Sequence, residues 1–468
     1  MTNQEQLLHQ YPDAERVTEP ARVLPVIGEY DIVVLGGGCT GVCAALRAAR
    51  LGARTAIVEQ TNAFGGVATN GFVCVWHALT DTTFRKQIIS GVTEEVIERL
   101  KRIPNGITIK MPPDLDTALF RDPVYSFYHL NTEEMKIELD TMLLEAGVTP
   151  YLHTRYSAPY TVNGELCGVI IENRSGRAVL RGKYFVDATA DGYLGADMGM
   201  EVYYHESIQP ATCGARVWGW DKLDHPNRKL RTEESRKRIG GRAGWDDLVP
   251  GAPDVRTWFK SQFAEDCSRA DILTRGEING RAQIREMMNI LREQDPHGNE
   301  LSLLALGGML GIRETRQLRC AYQLKTDDVA YGRTFDDAIA YCAYPVDIHT
   351  PQKATVIRYL DGVEKHGGPD GQKIYGRWRD DEGPYPTYWS IPYRSILPRE
   401  IPNLLICGRA LDAEKGAHGA SRVMISLNQT GEAAGVAAFE ALDSGKSVQN
   451  ISFPSMRKKM QQGGSIVL

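Results

Sequence analysis

The sequence predicts an α/β fold in which a parallel sheet, flanking helices and a β-meander accompany an inserted α+β domain. Three observations predict this fold. A glycine-rich turn joins a strand to a helix near the N-terminus, alternating strands with hairpin signals follow in mid-chain, and a buried strand with a long helix comes near the end. A chain of 468 residues is too long for one small domain, so more than one core is expected.

Residues 30–71 carry the strongest signal in the chain. They read YDIVVLGGGCTGVCAALRAARLGARTAIVEQTNAFGGVATNG: a strand, a glycine turn, a helix, a second strand and an acid at its end. Gly36, Gly38 and Gly41 give the spacing G-x-G-x-x-G. The first permits the tight turn, the second lets the backbone approach a pyrophosphate, and the third lets the helix lie close on the strand. This pattern predicts a Rossmann-like dinucleotide-binding unit.

The acid of this unit is Glu59, which lies 23 residues after Gly36 at the end of the run RTAIVE. A carboxylate at this position can accept both hydroxyls of an adenosine ribose, and it disfavours a 2′-phosphate. The N-terminus of the helix after Gly38 offers N–H groups and a positive dipole end to phosphates. The unit is therefore predicted to bind an adenine dinucleotide.

Later segments extend the same fold. A helix is expected to begin at Asn131 or Thr132, and the following VTPYLHT is expected to be another parallel strand. Hairpin signals at Asn163-Gly164 and Ser175-Gly176 predict a β-meander that runs into the buried strand KYFVDATADGY. NLLICGRALD is predicted as a final parallel strand, and RVMISLNQTGEAAGVAAFEALDSGK as a helix that ends at Gly445.

These signals divide the chain into one discontinuous dinucleotide-binding domain and an inserted domain. The inserted segment is rich in Trp, Tyr, Arg and Pro and has no regular period, which suits a domain that holds a substrate. The predicted boundaries are 1–29 for an N-terminal arm, 30–75, 125–204 and 399–445 for the three parts of the dinucleotide domain, 76–124 for an insertion on the substrate side, 205–398 for the substrate domain and 446–468 for a C-terminal tail.

Composition and charge exclude several classes of partner. The net charge is −5 and no basic block stands out, so neither nucleic acid nor an anionic membrane is an expected partner. Apolar runs are too short to span a membrane, and the first thirty residues lack the apolar core of a signal peptide. We expect a cytoplasmic protein. Nine scattered cysteines without C-x-x-C predict neither disulfides nor a metal or iron–sulfur site.

With these motifs in view, the chain resembles FAD-dependent oxidoreductases whose nucleotide-binding fold is of the glutathione-reductase type. It is most similar to a bacterial subfamily of these enzymes. The general features are GGGCTG, Glu59, the glycines at 65–66, DATADG at 187–192 and NLLICGR at 403–409. The subfamily-like stretches include GIRETRQLRCAYQLKTDD and AHGASRVMISL. The resemblance covers nearly all of residues 25–438, and it implies FAD as the cofactor.

The resemblance also assigns residues to the cofactor. FAD contacts are implied for Gly36, Gly38, Gly41, Glu59, Gly65, Gly66, Tyr156, Ala190, Asp191, Gly408, Arg409, Ser421, Arg422 and Val423. Ser421, Arg422 and Val423 are expected to open the last helix, with its N-terminus toward the flavin N1–C2=O edge. Reduced flavin carries negative charge near N1, and helix N–H groups together with Arg422 would stabilise it.

Three residues outside the FAD motifs are candidates for catalysis. Arg313 is predicted to share a helix face with Arg316 and to clamp a carboxylate or phosphate, the alternative being a buried ion pair. His349 follows Asp347 by two residues, so on a strand the two share a face. Asp347 then orients the imidazole either for proton transfer or as a structural group. His418 precedes the last helix and is expected either to act in catalysis or to fix the turn.

The sequence therefore predicts hydride transfer between flavin N5 and a small polar organic substrate, with a soluble electron donor or acceptor visiting the same face. A second complete fingerprint for NAD(P)H is not visible in the sequence. An NAD(P)H-dependent flavin monooxygenase is the alternative within the enzyme class. A flavin-containing protein that binds or modifies tRNA is the alternative from another class, and it would need a basic face that this acidic chain does not announce. The oligomeric state is not indicated.

Overall fold

The computed structural model describes residues 2–110, 128–240, 244–350, 355–368, 372–380 and 382–468. The helices of these residues are α1 (Asn3–Gln10), α2 (Cys39–Arg50), α3 (Val92–Lys101), α4 (Thr132–Glu145), α5 (Tyr193–Asp197), α6 (Pro226–Lys229), α7 (Glu233–Arg238), α8 (Ala270–Gln294), α9 (Thr326–Ala330), α10 (Lys415–Ser421), α11 (Met424–Ser444) and α12 (Phe453–Gln462).

The strands of the same residues are β1 (Val26–Leu35), β2 (Thr55–Val58), β3 (Val75–Trp76), β4 (Ile107–Ile109), β5 (Tyr128–Leu130), β6 (Thr149–Tyr151), β7 (Arg155–Val162), β8 (Glu165–Asn173), β9 (Gly176–Asp187), β10 (Val202–Tyr203), β11 (Ala211–Trp218), β12 (Asp246–Val249), β13 (Ala252–Phe263), β14 (Ser302–Leu306), β15 (Gln317–Leu318), β16 (Ala338–Cys342), β17 (Val346–His349), β18 (Thr355–Arg358), β19 (Val363–Gly367), β20 (Lys373–Arg377), β21 (Trp389–Pro392) and β22 (Leu404–Ile406).

The largest sheet has the order β6-β2-β1-β9-β8-β7, and β22 also pairs with β9. Strands β6, β2, β1, β9 and β22 are parallel to their neighbours, whereas β9, β8 and β7 form the antiparallel meander. The buried parts of the central parallel strands are apolar, as expected where both faces of a sheet are covered. Residues 32–35 of β1, for example, are fully buried. The predicted α/β class, with its parallel sheet and meander, is confirmed.

Strand β9 holds the parallel and antiparallel parts together. Its first half pairs with β8, and its end, Phe185–Asp187, pairs with β22. The first predicted hairpin turn is present, since Asn163 and Gly164 both have positive φ. The second turn differs from the prediction by one residue. Asn173 pairs with Gly176, so Arg174 and Ser175 form the turn, and Gly176 begins β9.

Helices α2 and α11 pack against each other over one face of the sheet at an unusually close distance. A Cβ added at Gly431 would lie 2.0 Å from the carbonyl oxygen of Thr40, and one at Gly435 would lie 2.2 Å from that of Ala44. Only glycine allows this approach. Helix α11 ends at Gly445 as predicted, with φ of +64°.

Two four-stranded antiparallel sheets lie outside the parallel sheet. Strands β12, β13, β11 and β14 form an antiparallel sheet, and α8 covers it with an apolar cluster that includes Trp258, Met287 and Leu291. Strands β17 to β20 form a second antiparallel sheet. The strands of the large sheet are thus interrupted along the chain by other sheets. The predicted domain boundaries stay a prediction, and residues 111–124 of the predicted insertion lie outside the described residues.

The N-terminal residues differ from the expected arm. Strand β1 begins at Val26 rather than at residue 30, because Val26 to Glu29 already pair with β9. Helix α1 docks through Asn3, whose backbone N–H donates to Asp197 and whose amide donates to the carbonyl of Tyr193. Within the described ranges, no helix combines the length and apolarity needed to cross a membrane.

We predict that Gly431→Ala destabilises the fold by about 1–3 kcal/mol, because the new methyl group must push α11 away from α2. The midpoint of urea unfolding should fall. Gly376→Ala is the matched control, since a Cβ at Gly376 meets nothing within 4 Å. Equal midpoints for the two variants would contradict the close packing of α2 and α11.

Candidate active site

A cavity of about 1200 Å³ opens at the carboxyl ends of the parallel strands. Gly36 follows β1, Glu59 follows β2, Ala188 follows β9 and Gly408 lies just beyond β22, and all four line the cavity. In open parallel sheets, ligands bind at this edge. The volume exceeds the range of about 300–1,000 Å³ that is usual for small-ligand pockets. It therefore has room for a large cofactor and a second, smaller molecule.

The structure sorts the predicted site residues into two groups. Those that line the cavity are Gly36, Gly38, Glu59, Gly65, Gly66, Tyr156, Ala190, Asp191, Arg313, His349, Gly408, Arg409, Arg422 and Val423. Gly41, Ser421 and His418 are not among the lining residues.

The three glycines of the first turn have three different environments. Gly36 has φ of +94°, and a Cβ there would lie 2.3 Å from the carbonyl oxygen of Ala188. Gly38 is the N-cap of α2, and a Cβ there would meet nothing within 4 Å because it would project into the cavity. Gly41 packs instead of facing a ligand, since its Cβ would lie 1.9 Å from the carbonyl oxygen of Gly36. Gly41 therefore has a packing role at this turn, and its implied contact with the pyrophosphate stays a prediction.

Glu59 is held by the backbone on both sides. One carboxylate oxygen accepts from the N–H of Gly37 and the other from the N–H of Thr61, each at 2.7 Å. The side chain is 7% exposed and lines the cavity. A carboxylate has about four lone-pair sites, so Glu59 can still accept hydrogen bonds from a ribose.

The loop after β2 closes over the glycine turn. Gly65 and Gly66 have φ of +99° and +56°, and Gly65 forms a bridge with Gly38. The thiol of Cys39 also donates to the carbonyl of Gly65 at 3.4 Å. These contacts bring two glycine backbones together beside the N-terminus of α2, where an anion is favoured.

A second group of contacts fixes the loops after β9 and β22. One Asp191 oxygen accepts from Arg409 and from the hydroxyl of Thr315, each at 2.7 Å. Ala190 has φ of +70°, and Gly408 has φ of +80°. Tyr156 lines the cavity, and its hydroxyl donates to Asp197 at 2.9 Å.

The predicted start of the last helix needs a correction. Ser421 ends α10 and is fully buried, whereas α11 begins at Met424 with Val423 as its N-cap. The chain leaves the helical conformation at Val423, so Ser421 points into the core. Arg422 and Val423 do line the cavity, and the N-terminus of α11 opens onto it.

The other end of the cavity is built around Asp347. One oxygen of this carboxylate accepts from the Tyr344 hydroxyl and from Arg422, each at 3.0 Å, and lies 3.3 Å from Nε2 of His349. Burial alone would raise the pKa of Asp347, but His349 and Arg422 hold it well below its ordinary value. Asp347 and His349 therefore lie side by side on β17, as the alternation of side chains along a strand predicts.

His349 lies deep in the cavity, and this burial lowers its pKa even though Asp347 opposes the effect. Because the Asp347 carboxylate can only accept, Nε2 of His349 carries a proton. Nδ1 then holds the lone pair, 3.4 Å from the hydroxyl of Thr355. At neutral pH the imidazole is a base whose lone pair is on the nitrogen that does not contact Asp347.

Arg313 does not lie on a helix, which corrects the prediction that it shares a helix face with Arg316. Residues 312–316 have no regular secondary structure, and each arginine has tertiary partners. Arg313 donates to the carbonyl of Pro210 at 2.5 Å and to the hydroxyl of Thr212 at 2.6 Å. Burial and the nearby Arg422 lower the pKa of Arg313 to about 9, so it remains a cation at pH 7. Arg316 donates to the carbonyl of Asp191 and to Asn3 and Gln6 of α1.

His418 is buried inside α10, so the expectation that it acts beside the flavin is not met by its position. Burial lowers the pKa of His418 to about 3. Its ring lies 5.7 Å from that of His205, on the side of α10 away from the cavity lining. A neutral, enclosed imidazole there cannot exchange protons with a molecule in the cavity.

Sequence reasoning missed several lining residues. Trp245 lies over the guanidinium of Arg313 at 5.2 Å, and Tyr344 positions Asp347. Asp247 also lines the cavity, and burial raises its pKa to about 7. None of these residues belongs to a motif. Only Tyr344 could have been predicted from the sequence, because it lies three residues before Asp347.

Comparison with known proteins defines the class. The chain belongs to the FAD dependent oxidoreductase family, whose family model matches residues 31–460. The protein is therefore an FAD-dependent oxidoreductase, and the predicted cofactor and enzyme class are confirmed.

Curated relatives match only in part. The chain is 49% identical over 49 residues to a dihydrolipoyl dehydrogenase of Trypanosoma brucei brucei, which is 10% of each protein. It is 35% identical over 85 residues to the mitochondrial dihydrolipoyl dehydrogenase of Schizosaccharomyces pombe, over 16% of this chain and 17% of that one. The match thus spans only 10% and 17% of the length of these two relatives.

Solved structures resemble the chain over most of its length at low identity. A geranylgeranyl bacteriochlorophyll reductase-like protein from Thermoplasma acidophilum is 12% identical, with 93% of this chain and 83% of that chain covered and a TM-score of 0.44. The p-nitrophenol 4-monooxygenase from Pseudomonas putida DLL-E4 is 11% identical, with 94% and 84% covered and a TM-score of 0.42.

The cavity lining fits FAD. Gly38 leaves open space where a side chain would stand, and Glu59 has acceptor capacity left. The Nε atoms of Arg409 and Arg422 are buried and, within the part of the chain that the structure describes, have no hydrogen-bond partner. Buried donors of this kind are costly unless an acceptor reaches them, and a phosphate or a flavin edge supplies one.

We predict that Gly38→Ala weakens FAD binding at least about tenfold, or 1.4 kcal/mol, because the methyl group fills the space where the diphosphate approaches. The apoprotein should keep its unfolding midpoint, since the methyl group meets no protein atom within 4 Å. Fluorescence titration of the apoprotein with FAD gives the dissociation constant, and Gly376→Ala is the control. Unchanged affinity in the Gly38 variant would place the diphosphate elsewhere.

Proposed function

We propose that the protein oxidises or reduces a small polar organic molecule by hydride transfer between a substrate carbon and flavin N5. The observation that carries the proposal is the single cavity that joins the glycine turn to Arg313 and the Asp347–His349 pair. The glycine end suits the dinucleotide. The other end offers a cation, an oriented base and aromatic walls, which are the groups a polar substrate needs.

Bound FAD supplies two-electron redox chemistry, and the side chains supply orientation and proton transfer. His349 is suited to take a proton from a substrate hydroxyl or amine as the hydride leaves, because Nδ1 carries the lone pair while Nε2 is held by Asp347, and the long 3.4 Å contact of Nδ1 with the Thr355 hydroxyl can be replaced by the substrate. In the opposite direction the same atom returns the proton. Asp347 thus acts on the substrate through the imidazole, as a positioning residue.

Charge at this end favours an anionic substrate. Two guanidinium groups, those of Arg313 and Arg422, line this end of the cavity, and the Asp347 carboxylate accepts a hydrogen bond from Arg422. A carboxylate of the substrate would complement Arg313, and the guanidinium fork suits its two oxygens. Trp245, beside Arg313, would pack against the apolar part of the same molecule. A carboxylate or an acidic sugar derivative is therefore the proposed substrate class.

The finer predictions belong to the same proposal. A glutathione-reductase-type cofactor fold, a bacterial source, a cytoplasmic location and a soluble electron donor or acceptor remain predictions. So does the FAD-binding role of each residue that lines the cavity. An NAD(P)H-dependent monooxygenase would show rapid bleaching of the flavin by NADPH and oxygen uptake only with substrate. The hydride-transfer proposal expects anaerobic bleaching by the substrate itself.

We predict that His349→Gln lowers the anaerobic rate of flavin reduction about 10²–10⁴-fold, because the base that accepts the substrate proton is lost. The probes are a panel of small hydroxy acids, amino acids and sugar acids, followed by flavin absorbance in stopped flow. FAD affinity should not change. His366→Gln, an exposed histidine paired with Glu364, is the control.

The pH profile of the wild-type reaction tests the same role. A base must be neutral to accept a proton, so the oxidation rate should rise with pH through the pKa of His349, which lies below 6.5, and stay level above it. The profile of His349→Gln should lose this limb. If the variant keeps both the rate and the limb, another group is the base.

We predict that Arg313→Gln raises KM for anionic substrates about 10–150-fold, the worth of a hydrogen bond to a charged group. Uncharged analogues should be much less affected. Arg358→Gln is the control, because Arg358 lies on β18 and pairs with Glu364 at the surface. Equal losses for charged and uncharged substrates would show that Arg313 only supports the structure.

A further inference from the structure

A second cluster of polar side chains lies beside α10, and none of its three residues lines the cavity. His205 follows β10, Glu314 lies in the segment before β15, and His418 belongs to α10. One ligand atom from each lies within 4.8 Å of the other two. The Glu314 side chain is 0% exposed, His418 is 0% exposed and the His205 side chain is 9% exposed.

The contacts of His205 bring two acceptor atoms close together when the ring is neutral. Nε2 lies 2.9 Å from the carbonyl oxygen of Ala413, so it must donate a proton. A neutral imidazole then has a lone pair on Nδ1, which faces a carboxylate oxygen of Glu314 at 2.8 Å. Two acceptors at this distance repel each other. A hydrogen atom or a metal ion between the two atoms would remove this repulsion.

His418 gives an independent observation. Both of its ring nitrogens are buried and have no hydrogen-bond partner in the described part of the chain. A buried imidazole without partners is costly, because its two nitrogens have lost their hydrogen bonds to water and gained none in return. A second proton on His205 would do nothing for His418. A metal ion would use the lone pair of His418 and relieve the contact between His205 and Glu314 at once.

The surroundings hold the three side chains as metal ligands are held. The carbonyl of Ala413 fixes the tautomer of His205, which is the usual arrangement for a ligating histidine. The second oxygen of Glu314 accepts from the N–H of Gln209 at 3.0 Å and from Lys415 at 2.7 Å. Glu314 is thereby anchored, and its first oxygen stays directed at the cluster.

We propose that His205, Glu314 and His418 bind a divalent transition metal ion, with Zn²⁺ as the best match. Two imidazole nitrogens and one carboxylate oxygen are ligands that Zn²⁺ takes, whereas Mg²⁺ and Ca²⁺ prefer oxygen alone. The ammonium of Lys415 opposes any cation, so binding depends on the strength of the two nitrogen bonds. Zinc bonds of about 2.0–2.1 Å place ligand atoms about 3.4 Å apart, so Nδ1 of His205 and the Glu314 oxygen, now 2.8 Å apart, must separate slightly while the His418 ring moves toward them.

The site has a structural role in this proposal. The metal ion joins α10 to the segment that carries Arg313, and α10 leads directly into Arg422 and Val423. Arg313 lines the cavity on one of these segments, and Arg422 and Val423 line it just after α10. The ion would therefore fix the two segments relative to each other without touching the substrate.

The test uses the full-length protein with any affinity tag removed. The protein is treated with EDTA, supplied with Zn²⁺ and freed of excess metal, and the zinc content is measured by mass spectrometry. We expect one equivalent per chain, a rise in the thermal midpoint with added Zn²⁺, and visible absorbance typical of tetrahedral coordination when Co²⁺ replaces Zn²⁺. His205→Gln and His418→Gln should lose the metal.

Two histidine controls test which site is occupied. His349→Gln removes the cavity histidine, and His297→Gln removes an exposed one that pairs with Glu300. Both should keep one equivalent. Wild-type protein with well under one equivalent and no thermal shift would overturn the proposal, and His205 would then be a protonated partner of Glu314. Loss of zinc in His349→Gln with retention in His418→Gln would overturn it as well. The wild-type titration decides even if a variant fails to fold.

Discussion

The close approach of α2 to the ends of β1 and β9 is the constraint on which the rest of the structure depends. A Cβ added at Gly36 would collide with the carbonyl of Ala188, and one at Gly41 would collide with the carbonyl of Gly36. A Cβ at Gly431 of α11 would collide with the carbonyl of Thr40. No side chain fits at these three positions. At Gly38, by contrast, the space is open, so the N-terminus of α2 faces the cavity without obstruction.

Helix α11 connects the two ends of the cavity. Its middle packs on α2 beside the cofactor end, and Arg422, just before its N-terminus, pairs with Asp347 at the substrate end. Asp347 in turn holds His349. A change in how α11 lies on α2 would therefore move the groups proposed to bind and deprotonate the substrate. The proposed metal site would hold the short helix that leads into α11.

The features that could be predicted from the sequence depend on local geometry. The glycine spacing, Glu59 after β2, and the pair Asp347–His349 all follow from the periods of turns and strands. The errors come from tertiary contacts. Arg313 and Arg316 have helical spacing, but they lie on a segment without regular secondary structure and donate to Pro210, Thr212 and Asp191. His418 lies near the predicted flavin-facing helix in sequence, yet the turn at Val423 directs it into the core. The proposed metal site combines residues 205, 314 and 418, which are too far apart in the chain for a sequence motif to predict it.

The most direct test of the account is a crystal structure of the protein reconstituted with FAD. We expect the diphosphate to accept hydrogen bonds from backbone N–H groups at the N-terminus of α2, the ribose to contact Glu59, and the isoalloxazine ring to lie against Arg422 and to face His349. A flavin bound away from the glycine turn, or a ring that faces away from His349, would contradict the account.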